Sequence, residues 1–292
     1  MRFAPKAIVA VSIMLALSTP MQSFAQDLKP FADTSRLVSI GGSLTEIIYA
    51  LGEEKRLVAR DQTATFPEAA LALPDVGYMR ALAPEGVLSV TPTALLVIEG
   101  SGPPEALDVL SHAGVDYQTV SEGFSHEGIL AKVRAVGQAL GVPDKSEALA
   151  AQLDTALKAV EARTAAIPER KKVLFILSTQ GGKIQASGTD TAANGIIELA
   201  GALNAVTDYS GYEALTEEAI IAANPDVILM MDRGGDHGGT DAELLAHPAI
   251  ALTNAGKAHA IIRLDGAYLL GFGPRTASAV GELVDALYGK AL

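Results

Sequence analysis

L-A-P-E-G-V-L-S-V-T-P-T-A-L-L-V-I, residues 82–98, and L-T-E-E-A-I-I-A-A-N-P-D-V-I-L-M-M, residues 215–231, align without a gap at an offset of 133 residues. Glu85 falls on Glu218, Pro92 on Pro225, and the apolar runs 94–98 and 227–231 superpose. Each copy reads as one helix, a proline-marked turn and one buried strand, the unit of βαβ folds. Proline stops the helix there because it lacks an N–H and restricts the residue before it. The recurrence predicts two similar α/β lobes in one chain.

The flanking sequence extends the pattern in both directions. Residues 36–40 read as a buried strand closed by Gly41-Gly42, after which Ser43 caps a helix with Glu46 as its capping-box partner. Further strands are expected at 56–59, 94–98 and 115–120, with a helix opened by Pro103-Pro104 and stopped at Gly114. The alternation restarts at 172–177, with a helix near 191–199, strands at 227–231 and 260–264, and a last helix after Pro274. This order predicts mostly parallel, Rossmann-like sheets.

Between the copies, Leu149, Leu153, Leu157 and Val160 form one apolar stripe on an alanine-rich helix. A helix over 144–167 would run about 35 Å at 1.5 Å per residue. It is expected to join an N-terminal lobe, 26–143, to a C-terminal lobe, 168–292, as a stiff hinge with a ligand cleft between the lobes.

The chain has 292 residues, 49% of them apolar, enough for two lobes with proper cores. Arg2 and Lys6, the apolar run 7–17 and Ser23-Phe24-Ala25 form a secretory signal peptide over 1–25. There is no cysteine, so stability comes from core burial without disulfides, and no lipid-bearing cysteine is present. Free diffusion in a periplasm, as a monomer, is the expectation. The formal charge of −12 becomes −14 once residues 1–25 are removed, which disfavours nucleic acid and anionic membrane as partners. Acidity of this size suits a protein that docks on a basic surface, and suits a merely soluble one equally.

D-V-G-Y-M-R, residues 75–80, holds one of only seven tyrosines. Glycine permits a turn that lets Tyr78 project into a cleft. A phenol with pKa near 10 becomes a phenolate beside iron(III) and a cation, and phenolate is a hard ligand suited to ferric haem. Arg80 supplies a permanent charge two residues on. Taken alone, a Gly-Tyr-x-Arg string more commonly marks a loop tyrosine that caps a core. A second Gly-Tyr pair at 211–212 makes Tyr212 a cleft candidate, with Tyr209 and Tyr268.

S-I-G-G-S-L-T-E-I-I-Y-A-L-G, L-P-D-V-G-Y-M-R-A-L, G-P-P-E-A-L, T-A-A-N-G-I-I-E-L-A-G and L-L-G-F-G-P-R-T-A resemble the periplasmic haemin-binding proteins of bacterial ABC-type haem importers. The likeness runs from Arg36 to Leu287. It implies ferric haem b as the transported ligand, Tyr78 as its axial ligand, and Arg80 and Arg233 as partners of the phenolate or a propionate. Arg275, at the first turn of the last helix, is a further propionate partner or a brace of the cleft floor. The histidine that some relatives carry after the first C-lobe strand is absent from S-T-Q-G-G at 178–182, which leaves His237 as the replacement sixth-ligand candidate. His112, His126, His247 and His259 lack metal-site spacing and are read as structural. Glu85 and Glu218 match the acidic knobs with which such proteins dock on an ABC permease dimer and its ATPase subunits, and also suit helix N-termini. Glu217 competes with Glu218 for that role. A ferric siderophore or corrinoid is the alternative cargo. An enzyme is disfavoured, because the chain lacks G-x-S-x-G, H-E-x-x-H, G-x-x-x-x-G-K-[ST] and any cysteine nucleophile.

Overall fold

The runs L-V-S-I and A-L-L-V-I become β1 (Leu37–Ile40) and β3 (Ala94–Ile98), strands buried at every residue. Strands this apolar suit the middle of a parallel sheet covered on both faces. The computed structural model describes residues 26, 28–232 and 239–290. In it, β1 and β3 lie between β2 (Leu57–Arg60) and β4 (Asp116–Val120), in the order β2-β1-β3-β4 and parallel throughout. The helices of this lobe are α1 (Gly42–Ala50), α2 (Pro84–Leu88), α3 (Pro104–Ser111) and α4 (His126–Ala139). Residues 1–25, Arg233 and His237, which carried sequence expectations, lie outside the described residues.

The next helix, α5 (Pro143–Ala165), spans 23 residues, about 35 Å at the α-helical rise. Leu153 and Leu157 of the expected stripe are buried, and Leu149 and Val160 pack against the core at half burial. α5 lies against α4 so closely that a Cβ on Gly137 would sit 2.0 Å from the Ser146 hydroxyl. Its far end ties to α12 (Thr276–Tyr288) through Arg163 and Asp285 at 2.6 Å. One helix thus touches both lobes.

The second sheet repeats the first. Strands β5 (Lys172–Ser178), β9 (Val227–Asp232) and β10 (Ile261–Asp265) are parallel, and β7 (Leu203–Asn204) pairs in parallel with the first residues of β5. The order β7-β5-β9-β10 matches β2-β1-β3-β4. Within the repeated segments, α2 and β3 begin 133 residues before α7 (Glu217–Ala223) and β9. Thr91 and Asn224, each just before the shared proline, both adopt a left-handed conformation, with φ of 46° and 40°. The remaining helices are α6 (Ala192–Leu199), α8 (Asp241–Leu245), α9 (Pro248–Ala251), α10 (Asn254–Ala258) and α11 (Gly266–Leu270).

Two local expectations are corrected. β6 (Ile184–Ser187) pairs antiparallel with the far end of β5, and β8 (Tyr212–Leu215) pairs antiparallel with β6, where no strands were expected. Gly181 and Gly182, both at positive φ, turn the chain back there, and Ile184 and Ala186 are buried while Gln185 is exposed. The capping box at Ser43 does not form. Gly41 is the N-cap of α1, the Gly42 N–H is satisfied by the Thr63 hydroxyl at 2.9 Å, and Glu46 turns to Arg275.

The lobes share one apolar core, which runs from β1 and β3 through α4 and α5 to Phe175, Phe272 and Leu283. A second cluster covers the opposite face of β5 and β9.

Candidate functional site

The loop after β2 fixes Tyr78 from both sides. Gly77 holds φ +105°, which residues with a Cβ avoid. Its N–H donates to the Asp75 carboxylate at 2.8 Å, and its carbonyl accepts from the Gln62 N–H at 2.9 Å. The carbonyls of Tyr78 and Met79 accept from Ala81 and Gly102. Met79 is buried, whereas Tyr78 is 39% exposed with Arg80 exposed beside it. Arg80 Nη1 donates to Tyr78 Oη at 3.0 Å.

Tyr212 comes from the other lobe, at the start of β8 and after Gly211 at φ +87°. Its ring meets Phe175 edge-on at 6.4 Å. The residue is 37% exposed, yet its hydroxyl end lies inward, against Thr191, Ser187 and the Ala193 N–H where α6 begins. Burial pushes the Tyr212 phenol up from its ordinary value; Thr191, Ala193 and the positive charge of Arg80 oppose the rise without cancelling it. Arg80 therefore bonds the tyrosine of one lobe and acts on the tyrosine of the other.

A second cluster also draws on both lobes. Arg275 donates to the Glu46 carboxylate from Nε at 2.9 Å and from its backbone N–H at 3.1 Å. Its guanidinium carbon lies 3.8 Å from the Phe66 ring centre and 5.2 Å from that of Tyr268. Burial pushes the Glu46 carboxyl up while Arg275 pulls it down, and the balance is a raised value. Burial likewise raises the Tyr268 phenol. Arg275 sits as a brace between the lobes, engaged by Glu46.

The structure thus brings together Tyr78, Arg80 and Tyr212, and separately Arg275 with Tyr268. Tyr209 is committed elsewhere: its hydroxyl donates to the Ala186 carbonyl at 3.0 Å. Glu85 and Glu218 are exposed in the first turns of α2 and α7. Hydrogen bonds from its own N–H and from Thr216 hold the Glu218 carboxyl below its usual value. His126 is buried, 2.7 Å from Glu161, and no group of three or more metal-ligating side chains forms among the described residues. Sequence reasoning missed Phe66 and assigned Glu46 to a cap. An exposed phenylalanine carries no local signal, and Glu46 gains its partner 229 residues away.

Residues 37–268 match the family model described as periplasmic binding protein. Among solved structures, the periplasmic haem-binding protein BhuT in complex with two haems is 41% identical, over 86% of this chain and 97% of that one, with a TM-score of 0.82. The periplasmic haem-binding protein RhuT from Roseiflexus sp. RS-1, in apo form, is 39% identical over 88% and 98%, with a TM-score of 0.83. An uncharacterised ABC transporter substrate-binding lipoprotein of Bacillus subtilis (strain 168), YvrC, is 28% identical over 90% of this chain and 83% of its own length.

Proposed function

Because this chain belongs to the periplasmic binding protein family, we propose that it captures ferric haem between its lobes and delivers it to an ABC importer permease. The observation that carries this reading is the exposed Tyr78 with a guanidinium on its oxygen. Phenolate is a hard anionic ligand for iron(III), and Arg80 stabilises the charge that coordination requires. Exposed Phe66 and Tyr212 supply aromatic surface for a flat macrocycle. BhuT and RhuT, the haem-binding relatives, support the same cargo. No bond in the haem is made or broken.

Tyr212 is the counterpart ligand or lining residue from the second lobe, Tyr268 lines the floor, and Arg233 and His237 remain a propionate partner and a sixth-ligand candidate. Arg275 acts as a brace and as a propionate partner. Docking uses Glu85 and Glu218, which repeat at equivalent places in the two lobes and so suit a twofold permease. Carriage takes place in the periplasm, by a monomer. The lobes are 26–143 and 168–292, joined by 144–167.

Haemin titration of the protein tests this reading. The expected result is a changed Soret band with the charge-transfer absorption of a high-spin ferric phenolate, and loss of most affinity in Tyr78→Ala. A protein that ignores haemin but binds a corrinoid or ferric siderophore would overturn it. The stoichiometry of the same titration, repeated with Tyr212→Phe, reports whether the second tyrosine holds iron.

A further inference from the structure

We propose that Asp61, a buried carboxylate behind the cleft, is the positioning residue that sets the direction of Tyr78. The inference rests on Tyr78 being the iron ligand.

Asp61 is fully buried, yet every group turned toward its carboxylate is a donor. Oδ1 accepts from the Gly41 N–H at 2.9 Å, and Oδ2 from the Thr63 N–H at 2.9 Å. The Thr63 hydroxyl lies 3.0 and 2.8 Å from the two oxygens and also meets the Met79 sulfur at 3.9 Å, with the Met79 N–H facing the same carboxylate. The nearest guanidinium, that of Arg60, donates to the Asp61 backbone carbonyl and reaches toward Asp75 at 3.7 Å. An acceptor-only group meeting donors from three segments is satisfied as a carboxylate, and leaving any of those donors unpaired in the interior is costly.

The three segments are the Gly41-Gly42 turn, the loop after β2, and the residue that follows Tyr78. Thr63 completes the network by accepting the Gly42 N–H. A Cβ on Gly42 would lie 2.6 Å from the Thr63 carbonyl, so the contact is close. Asp61 therefore holds Thr63 against Met79, on the C-terminal side of Tyr78, while Asp75 and Gln62 hold Gly77 on its other side. Geometry of this kind determines how much of a side chain's bond to a ligand survives the entropy of holding it.

The test uses haemin titration of the full chain with Asp61→Asn. The amide replaces one acceptor oxygen with a donor that faces other donors. The expected result is a haemin Kd raised roughly tenfold, about 1.4 kcal/mol, with a displaced charge-transfer band. Thr63→Ala is expected to fall between that variant and wild type, and Thr63→Ser, which keeps the hydroxyl, to restore wild-type binding. Should Asp61→Asn fail to fold, the Thr63 pair decides. Val173→Ala, in the core at the start of β5 and remote from the loop, controls for lost stability. A band that shifts equally in Val173→Ala overturns the inference. So do wild-type Kd and spectrum in Asp61→Asn, or in Thr63→Ala where Asp61→Asn does not fold, when Tyr78→Ala is impaired. Wild-type behaviour in Tyr78→Ala instead overturns the underlying assignment of the ligand.

Discussion

The Arg80 guanidinium donates to the Tyr78 oxygen at 3.0 Å, and in the proposed carrier that charge-assisted bond helps to hold the oxygen on iron. Arg80→Ala is therefore expected to weaken haemin binding by several-fold to about tenfold, consistent with a charge-assisted hydrogen bond at an exposed site. Arg80→Lys keeps the charge but not the planar fork, and recovers only part of the loss. Equal Kd values for wild type and Arg80→Ala would remove Arg80 from the site. Gly77→Ala acts through the backbone: nothing crowds its Cβ, so the cost is that of holding alanine at φ +105°, about 1–3 kcal/mol. Chemical denaturation measures that cost, and an unchanged midpoint would show that the loop accommodates it. The contact of Arg80 with Tyr78 was legible because Gly-Tyr-x-Arg is local. Asp61, Phe66 and the Glu46–Arg275 pair were not, because their roles depend on partners that only the fold brings near. Ser43 shows the reverse failure, where a valid local capping rule lost to a threonine from another loop.

Among the elements, the strands and longer helices followed from apolar runs and spacing, with ends displaced by one to three residues. The repeat was the stronger signal, since a gapless match carries register as well as type. It predicted that β3 and β9 hold equivalent places, and the sheets agree. What escaped were the four-residue strands β6 and β8, too short for periodicity to separate from a loop. The connecting helix yields the clearest stability test. Leu157 is 2% exposed, so Leu157→Ala is expected to cost about 2–4 kcal/mol of unfolding free energy. Gly137→Ala forces a methyl into Ser146 across the α4–α5 contact and is expected to cost about 1–3 kcal/mol. Denaturation midpoints unchanged in both would mean that α5 does not pack on α4 in this manner.

For the whole molecule, the decisive feature is how the lobes are tied. Beyond α5 and the shared core, Arg275 of the second lobe meets Glu46 of the first. Lys132, fully buried on α4, pairs with Glu122 and donates to the Phe272 carbonyl at 3.0 Å, and Phe272 packs edge-on to Phe124 at 5.2 Å. Ties at two places besides the helix predict little opening. Because the chain has no cysteine, spin labels on Val109→Cys and Leu252→Cys, both exposed and one per lobe, report the separation directly. A single narrow distance is expected with and without haemin. It should broaden when Arg275→Ala with Glu46→Gln is combined with Lys132→Met and Glu122→Gln, the two glutamines added so that no carboxylate is left unpaired. The ties also carry a pH dependence. Burial raises both the Glu46 and the Glu122 carboxyls, against the pull of Arg275 and Lys132. A carboxyl raised in the folded state contributes stability that is complete below its unfolded pKa and is lost as pH rises through the folded one. The same linkage holds between the closed form and any opened form that returns these carboxyls to water: both bind a proton more tightly where they are buried, so falling pH does not favour opening. The distance distribution should stay as narrow at mildly acid pH as at neutral pH. A distribution already broad for the unloaded protein at neutral pH would show that the two ties do not hold the lobes, and that closure upon the ligand, rather than a preset gap, shapes the site.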